Sequence, residues 1–239
     1  MAVEKGKLAE LGEGLVDQVL SVGINGRGRF NSAKEVADEH LATYTDVEQA
    51  IRKLVGTNTR LAAASGFVTG LGGVAALPVT IPAALAGLYI LAGRMSAAVA
   101  YMRGYDIDSE EVRSAVLVSL LGSSGAEVLK RTGVEIGRKS TAAAFQRIPG
   151  RALIEINKKV GYRLVTKAGE KGVINLGKLV PFVGAPVGAA VDAVGCRTNA
   201  TYALKTFEPI TGRTGMTISE PEVVDATATE AHVRRQESS

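Results

Sequence analysis

Residues 61–93 read LAAASGFVTGLGGVAALPVTIPAALAGLYILAG, with no charged side chain between Arg60 and Arg94. A stretch this apolar has to be removed from water. Three arrangements would do so: the hidden centre of a water-soluble helical bundle, a hairpin inserted shallowly into a membrane, or one membrane span, which needs about 20 apolar residues. The sequence favours the first arrangement and leaves the other two open.

Two prolines divide this stretch. A proline in a helix interior removes a hydrogen bond and collides with the preceding turn, so Pro78 and Pro82 rule out one continuous helix. Because proline is well tolerated in a first helical turn, we predict a helix that ends near Thr69, a glycine-rich corner, and a second helix from near Pro82 to Met102.

Glycines in this hairpin and near the end of the chain are spaced for close helix packing. Gly66 and Gly70 are four residues apart, as are Gly184 and Gly188. Glycine at this spacing lets two helix backbones approach each other. Close packing is therefore predicted at five glycines: Gly66, Gly70, Gly73, Gly184 and Gly188.

Helix signals continue outside the hairpin. A side-chain acceptor followed three residues later by glutamate is typical of a helix start, and the chain has three such pairs: Ser32–Glu35, Thr45–Glu48 and Asp108–Glu111. Polar–apolar alternation never persists for more than a few residues. We predict an all-α fold, a multi-helix bundle around the Ala/Gly-rich hairpin. Residues 1–207 would form one domain, followed by a disordered acidic tail over 208–239.

Positive charge is concentrated in one part of the chain. The whole chain carries a net +4, whereas residues 130–180 hold twelve basic and three acidic side chains. Within that region an apolar stripe at helical spacing is flanked by Arg151, Lys158, Lys159, Arg163 and Lys167. Such a helix can be an ordinary solvated face, bind anionic lipid, or bind nucleic acid. The stretch has Tyr162 as its only aromatic residue, so we do not expect nucleic acid.

Two charges stand in strongly apolar surroundings. Arg94 ends the uncharged stretch, and Asp192 lies in the last apolar helix. A desolvated charge is costly without a partner. We therefore predict that the two form a buried structural pair, in contact directly or through one intermediary; the alternative is that each reaches the edge of the bundle separately.

Catalytic and metal-binding patterns are weak. One cysteine and two histidines cannot supply a cysteine-based or multi-histidine metal site. The serines of residues 122–125 lack the spacing of a nucleophile elbow, and the glycines of residues 70–73 lack that of a phosphate loop. The acids from Asp106 to Glu111 suit helix capping better than catalysis. We expect no metal and no cofactor.

An ordered series of segments resembles the EcsC family of bacterial proteins. The segments are GFVTGLGG (66–73), LPVTIP (77–82), LAGRM (91–95), AVAYMRGYD (98–106), GSSGAEVL (122–129), VPFVG (180–184) and VDAVG (191–195). The resemblance covers roughly residues 20–207. It implies an all-helical fold and a bacterial setting, and it supplies no catalytic residues. Because the family is named after a gene beside those of an ABC transporter, it also implies a transporter component as a partner.

These features together predict a non-enzymatic, membrane-associated protein. The N-terminus lacks the apolar segment of a secretory signal, so we expect a cytoplasmic protein held peripherally at the membrane. Its hairpin would contact the apolar layer and its basic helix the anionic lipid. Two alternatives stay open: an enzyme, such as a hydrolase, that uses the carboxylates from Asp106 to Glu111, and a carrier with a hydrophobic ligand in an internal cavity.

Overall fold

A computed structural model describes residues 2–71, 77–131, 149–175 and 184–210. These residues form helices and contain no strand, with a single isolated bridge between Arg27 and Phe30. The predicted all-α class is therefore confirmed. The helices are α1 (Ala2–Gln18), a π-helical turn (Val19–Ile24), α2 (Ala33–Thr43), α3 (Val47–Leu71), α4 (Leu77–Met102), α5 (Glu110–Leu120), α6 (Ser123–Arg131), α7 (Gly150–Asn175) and α8 (Gly184–Thr206).

The capping box at the start of α2 is confirmed. The Ser32 hydroxyl accepts a hydrogen bond from the Glu35 backbone N–H at 3.1 Å, and the Glu35 carboxylate accepts one from the Ser32 N–H at 2.7 Å. The hydrogen bonds from Ser32 lower the pKa of Glu35. Both partners lie within one turn, so a local sequence pattern is enough to specify the contact.

The other two capping pairs were each predicted one residue too early. At α3 the acceptor is Asp46, not Thr45, and it binds the Gln49 N–H. At α5 the acceptor is the Ser109 hydroxyl, not Asp108. In both cases the neighbouring residue also has a side-chain acceptor, and the backbone path into the helix determines which of the two is used.

The hairpin helices differ from the prediction at their inner ends. α3 ends at Leu71, and α4 begins at Leu77, so Pro78 rather than Pro82 lies in its first turn. The corner over 72–76 lies outside the described residues. α3 packs most extensively against α8 and less against its hairpin partner α4.

The helices lie in three layers. α4 and α5 pack together at the centre, α1 and α7 form a pair on one side, and α3 pairs with α8 on the other. Several small residues of α4 are fully buried, among them Ala92, Ala97, Ala98 and Ala100. Because these side chains are small, neighbouring helices approach the central layer closely without large aromatic residues.

A tight turn follows the π-helical segment. Arg27 and Phe30 exchange backbone hydrogen bonds of 2.9 and 3.0 Å. Gly26 and Gly28 have φ values of 77° and 62°, which only glycine adopts without strain. The turn presents Arg27 and Arg29 to solvent and brings Phe30 back towards α4.

In the part of the chain that is described, no helix is long and apolar enough to span a membrane. The compact helical unit closes at Pro209. The predicted acidic tail lies outside the described residues from position 211 onward.

Candidate functional site

One stripe of α7 combines charged and apolar side chains in solvent. Arg151, Ile154, Lys158 and Tyr162 are all exposed. Their spacing of three and four residues places them in line along the helix. Ile154 is 59% exposed and Tyr162 39%. The opposite side of the helix buries Leu153, Ile156 and Val160.

Carboxylates partly balance the lysines of this helix. Lys158 Nζ lies 3.6 Å from a Glu13 carboxylate oxygen on α1, and Lys159 Nζ lies 2.7 Å from Glu155 one turn earlier. All four side chains are more than a third exposed, and such pairs contribute at most about 1 kcal/mol. Arg151 has no carboxylate partner among the described side chains. The lysines can therefore exchange their carboxylates for another anion at small cost.

This surface borders α1. Gly12 and Gly161 are in backbone contact, since a Cβ added at Gly12 would lie 2.6 Å from the Gly161 carbonyl carbon. Glu13, on one side of that contact, faces Lys158, whereas the exposed Leu11 points to the other side, because successive helix residues are about 100° apart. We call this surface the α1–α7 face and define it by Arg151, Ile154, Lys158 and Tyr162, with Glu13 at its edge.

Part of the predicted basic surface is not described. The side chains of Arg163 and Lys167 lie outside the described part of α7. Residues 132–148 and 176–183, which carry further basic positions, also lie outside it. The α1–α7 face therefore rests on Arg151 and Lys158.

Two of the five predicted packing glycines meet each other. A Cβ added at Gly66 would lie 2.7 Å from the carbonyl carbon of Gly188, so α3 and α8 cross in backbone contact at this point. The surroundings of Gly70 and Gly184 are outside the described contacts, and Gly73 is outside the described residues. Glycine spacing indicated that close approach was sterically allowed, but not which helices would meet.

The α3–α8 pair also exposes apolar side chains, among them Phe67, Val68 and Val194. This pair packs against α4, whereas α7 packs against α1 and α5. The apolar end of the hairpin and the basic helix thus belong to different layers. The apolar residues that accompany the basic stripe are Ile154 and Tyr162 of α7 itself, which the sequence argument missed because it assigned the apolar role to the hairpin.

Among the described contacts, no ion pair joins Arg94 directly to Asp192. The Arg94 guanidinium lies 4.3 Å from the centre of the Phe30 ring, whereas a carboxylate oxygen of Asp192 lies 2.7 Å from a Cβ added at Gly66. An indirect contact between the two charges stays a prediction. Each of these contacts is to a different segment, and the sequence does not reveal which segment packs against which helix.

The charged pair that does join distant elements involves Arg103. Its guanidinium forms a bidentate bridge to Glu48 with distances of 2.9 and 2.8 Å, and it also donates to the Leu204 and Phe207 carbonyls. This arginine ties the end of α4 to the start of α3 and the end of α8. Only its position just before Gly104, at the end of a helix, could have suggested such a role.

The acids from Asp106 to Glu111 have local structural partners. Asp106 accepts a hydrogen bond from the Asp108 N–H at 3.0 Å, and Asp108 lies 3.4 Å from Arg113. Glu110 and Glu111 occupy the first turn of α5, where carboxylates suit the helix dipole. Within the described ranges no group of histidine, cysteine, aspartate and glutamate could hold a metal ion.

A cleft of about 370 Å³ opens between α4, the end of α5 and α8. Leu88, Tyr89, Leu120 and Val191 form much of its apolar wall, and Asn199 adds an amide. Burial raises the pKa of Tyr89 to about 12, so its hydroxyl stays protonated at neutral pH. An apolar wall with one amide is the kind of lining that a small hydrophobic ligand would need.

The model of the EcsC protein family matches residues 13–208. The chain belongs to the EcsC family. The resemblance seen in the sequence is thereby confirmed over most of the chain. No curated protein and no solved structure matches it.

The family match covers nearly all of the features described above. It includes α7, Arg94 and the Gly66–Gly188 crossing, whereas Leu11 and Gly12 lie just before its first residue. The family assignment brings no reaction or ligand with it. A function for this EcsC-family chain therefore has to be argued from its own surface.

Proposed function

We propose that the chain is a non-enzymatic protein that attaches peripherally to the cytoplasmic surface of a bacterial membrane through the α1–α7 face. The observation that carries the proposal is the single stripe of α7 on which exposed Ile154 and Tyr162 alternate with Arg151 and Lys158. Interfacial helices combine apolar insertion with cationic attraction to anionic lipid. This face provides both on one surface.

The apolar residues would supply most of the binding energy. Burying a large apolar side chain contributes about 1.5–3 kcal/mol, and the face offers Ile154 and part of Tyr162. Each cation near an anionic surface adds about 1 kcal/mol. Apolar insertion would therefore set the strength of binding, and Arg151 and Lys158 would make it selective for anionic lipid.

Co-sedimentation with vesicles tests the proposal. Phosphatidylcholine vesicles with and without phosphatidylglycerol are compared, using the Arg151→Gln/Lys158→Gln variant. The two cations together contribute about 2 kcal/mol of binding free energy, so their loss should weaken binding to the anionic vesicles about 30-fold. The matched control is Lys130→Gln/Arg197→Gln, which removes two exposed cations of α6 and α8. Equal losses in both variants, or equal binding to both vesicle types, would contradict the proposed face.

Glu13 gives a test in the opposite direction. Its carboxylate pairs with Lys158 at 3.6 Å, so Glu13→Gln should free that lysine and also remove an anion that the lipid repels. One freed cation contributes about 1 kcal/mol of binding free energy, so we expect binding to anionic vesicles to strengthen about fivefold. Weaker binding would show that the pair orients the face rather than competing with lipid.

A membrane transporter component remains a second proposed partner, suggested by the family resemblance. It would contact the same face, where exposed apolar residues lie beside cations. Pull-down with a reconstituted transporter, compared between the native chain and Ile154→Ser/Tyr162→Ser, tests this partner. Retention that the two substitutions do not change would rule out this face as the contact.

A hydrophobic-ligand carrier is the second candidate function, favoured by the cleft between α4 and α8. Binding of a fluorescent fatty acid, with Leu88→Trp as a variant that fills the cleft, tests it. Saturable binding that the tryptophan abolishes would support a carrier. Binding that the variant leaves unchanged would place the probe elsewhere.

A further inference from the structure

Arg94 of α4 and Arg103, the residue directly after α4, both have largely buried side chains but very different partners. The side chain of Arg103 is 8% exposed, and Arg94 is 9% exposed. Arg103 has a carboxylate and two backbone carbonyls as partners. The Arg94 guanidinium makes no hydrogen bond or ion pair with any residue that the structure describes, and its buried Nε atom has no partner.

What lies against Arg94 is an aromatic ring and backbone. The Phe30 ring is 4.3 Å from the guanidinium carbon. At the other end of the residue, a Cβ added at Gly23 of the π-helical turn would lie 3.5 Å from the Arg94 backbone nitrogen. A cation–π contact contributes about 0.5–2 kcal/mol. That is less than the cost of burying a charge without a counter-charge, which is several kcal/mol. Burial also lowers the pKa of Arg94, although an arginine stays charged at neutral pH.

The surface next to this arginine is itself cationic. Phe30 belongs to the turn after the π-helix, whose Arg27 and Arg29 are exposed. Arg113 reaches the same turn, donating a 2.7 Å hydrogen bond to the side-chain oxygen of Asn25. Arg113 has Asp108 as its carboxylate partner at 3.4 Å, whereas Arg27 and Arg29 have none among the described side chains. Two exposed arginines without a carboxylate partner thus lie on the segment that covers a third, buried one.

We propose that Arg94, together with Arg27 and Arg29, binds the phosphate group of an anionic ligand at the turn beside Phe30. The guanidinium fork matches the geometry of phosphate oxygens and binds them in pairs. A bound phosphate gives the buried cation the counter-charge that the described residues do not provide. The two exposed arginines attract the anion and hold its outer oxygens. This site is independent of the α1–α7 face.

Thermal unfolding with inorganic phosphate tests the site. Sodium chloride of equal ionic strength is the reference, because it screens charges without offering a bidentate anion. At phosphate about tenfold above Kd, Tm of the native chain should rise by roughly 3–5 °C relative to chloride. Equal Tm in the two salts would overturn the proposal.

Arg94→Met separates a ligand site from a structural role. Because the charge has no protein partner, its replacement by an apolar chain of similar length should raise Tm in chloride and abolish the phosphate shift. A phosphate shift that survives in Arg94→Met would overturn the proposal. So would a fall in Tm in chloride as large as the one caused by Arg103→Met, since that would give Arg94 a structural partner.

A surface variant keeps the test valid if Arg94→Met does not fold. Arg27→Gln/Arg29→Gln changes two exposed side chains and should weaken phosphate binding about tenfold or more, measured by calorimetric titration. Lys130→Gln/Arg197→Gln is the matched control and should bind phosphate like the native chain. Unchanged affinity in the turn variant would refute the role of the turn.

The source of the phosphate is distinguished by three probes. Inorganic phosphate, glycerol 3-phosphate and vesicles containing phosphatidic acid are compared with the native chain and with Arg151→Gln/Lys158→Gln. The free anion and glycerol 3-phosphate should bind equally well to both proteins, because the α7 residues are not part of this site. Tighter binding of glycerol 3-phosphate would identify a lipid headgroup as the ligand, and tighter binding of inorganic phosphate would identify a free anion. If the α7 variant loses binding of the soluble probes, the separate site is refuted.

Discussion

The crossing of α3 and α8 at Gly66 and Gly188 should tolerate no side chain. A Cβ added at Gly66 would lie 2.7 Å from the Gly188 carbonyl carbon and 2.7 Å from a carboxylate oxygen of Asp192. Ordinary contacts begin near 3.4 Å, so the helices would have to separate by about 0.7 Å. The obstacle is largely helix backbone, which cannot rotate away. Overpacking of this kind costs about 1–3 kcal/mol.

Each helix carries its own control for this prediction. Gly56 on α3 and Gly195 on α8 have nothing within 4 Å of an added Cβ. In a helix, alanine is more stable than glycine by about 0.5–1 kcal/mol. Gly56→Ala and Gly195→Ala should therefore stabilise the protein, whereas Gly66→Ala and Gly188→Ala should destabilise it by about 1–2 kcal/mol after the same gain is subtracted.

Urea unfolding followed by far-UV circular dichroism measures the difference. The crossing and control variants should differ by about 2 kcal/mol in free energy of unfolding, or by roughly 4–8 °C in Tm. The second alanine in Gly66→Ala/Gly188→Ala should cost less than the first, because the helices have already separated. If Gly66→Ala stabilises the chain as much as Gly56→Ala, the helices are not in backbone contact and the reasoning fails.

Three further predictions concern the contacts that hold the bundle. Arg103→Met should lower the free energy of unfolding by about 2–4 kcal/mol, because the Leu204 and Phe207 carbonyls lose their donor. Glu48→Gln should lower it less, since the Glu48 side chain is 43% exposed. Equal losses for the two variants in urea unfolding would contradict this ranking. Ser32→Ala should cost about 1 kcal/mol at neutral pH, because its hydroxyl caps the Glu35 backbone N–H. Glu35→Gln removes the carboxylate whose pKa is lowered from 4.5, mainly by the Ser32 backbone N–H. That contribution is present above pH 4.5 and is lost as the pH falls through the lowered pKa, so the stability gap between Glu35→Gln and the native chain should narrow in acid, and a constant gap would refute the coupling. Burial raises the pKa of the Cys196 thiol, so a chromogenic disulfide reagent at pH 8 should label the folded chain far more slowly than the urea-unfolded chain. Equal labelling rates would show that the thiol is accessible in the folded chain and would contradict its burial.

Local features of this protein were readable from its sequence. The Ser32–Glu35 capping box depends on residues within one turn, and it is formed as predicted. The two helices of the hairpin follow from an uncharged stretch that contains a glycine-rich segment and Pro78, which lies in the first turn of α4. Pro82 was wrongly predicted to mark the helix start, since it lies inside α4. The all-α class follows from the lack of polar–apolar alternation. The basic helix followed from composition and spacing.

Only the tertiary structure determined which surfaces meet. The spacing of Gly66 and Gly188 allows close approach but leaves the partner open, and the crossing depends on two helix surfaces more than a hundred residues apart fitting together. The same holds for the charged residues. Arg94 and Arg103 look alike in the sequence, but Arg94 lies over the Phe30 ring, whereas Arg103 forms an ion pair with Glu48. Whether a charge finds a counter-charge depends on what the fold packs against its helix, and no local pattern encodes that choice.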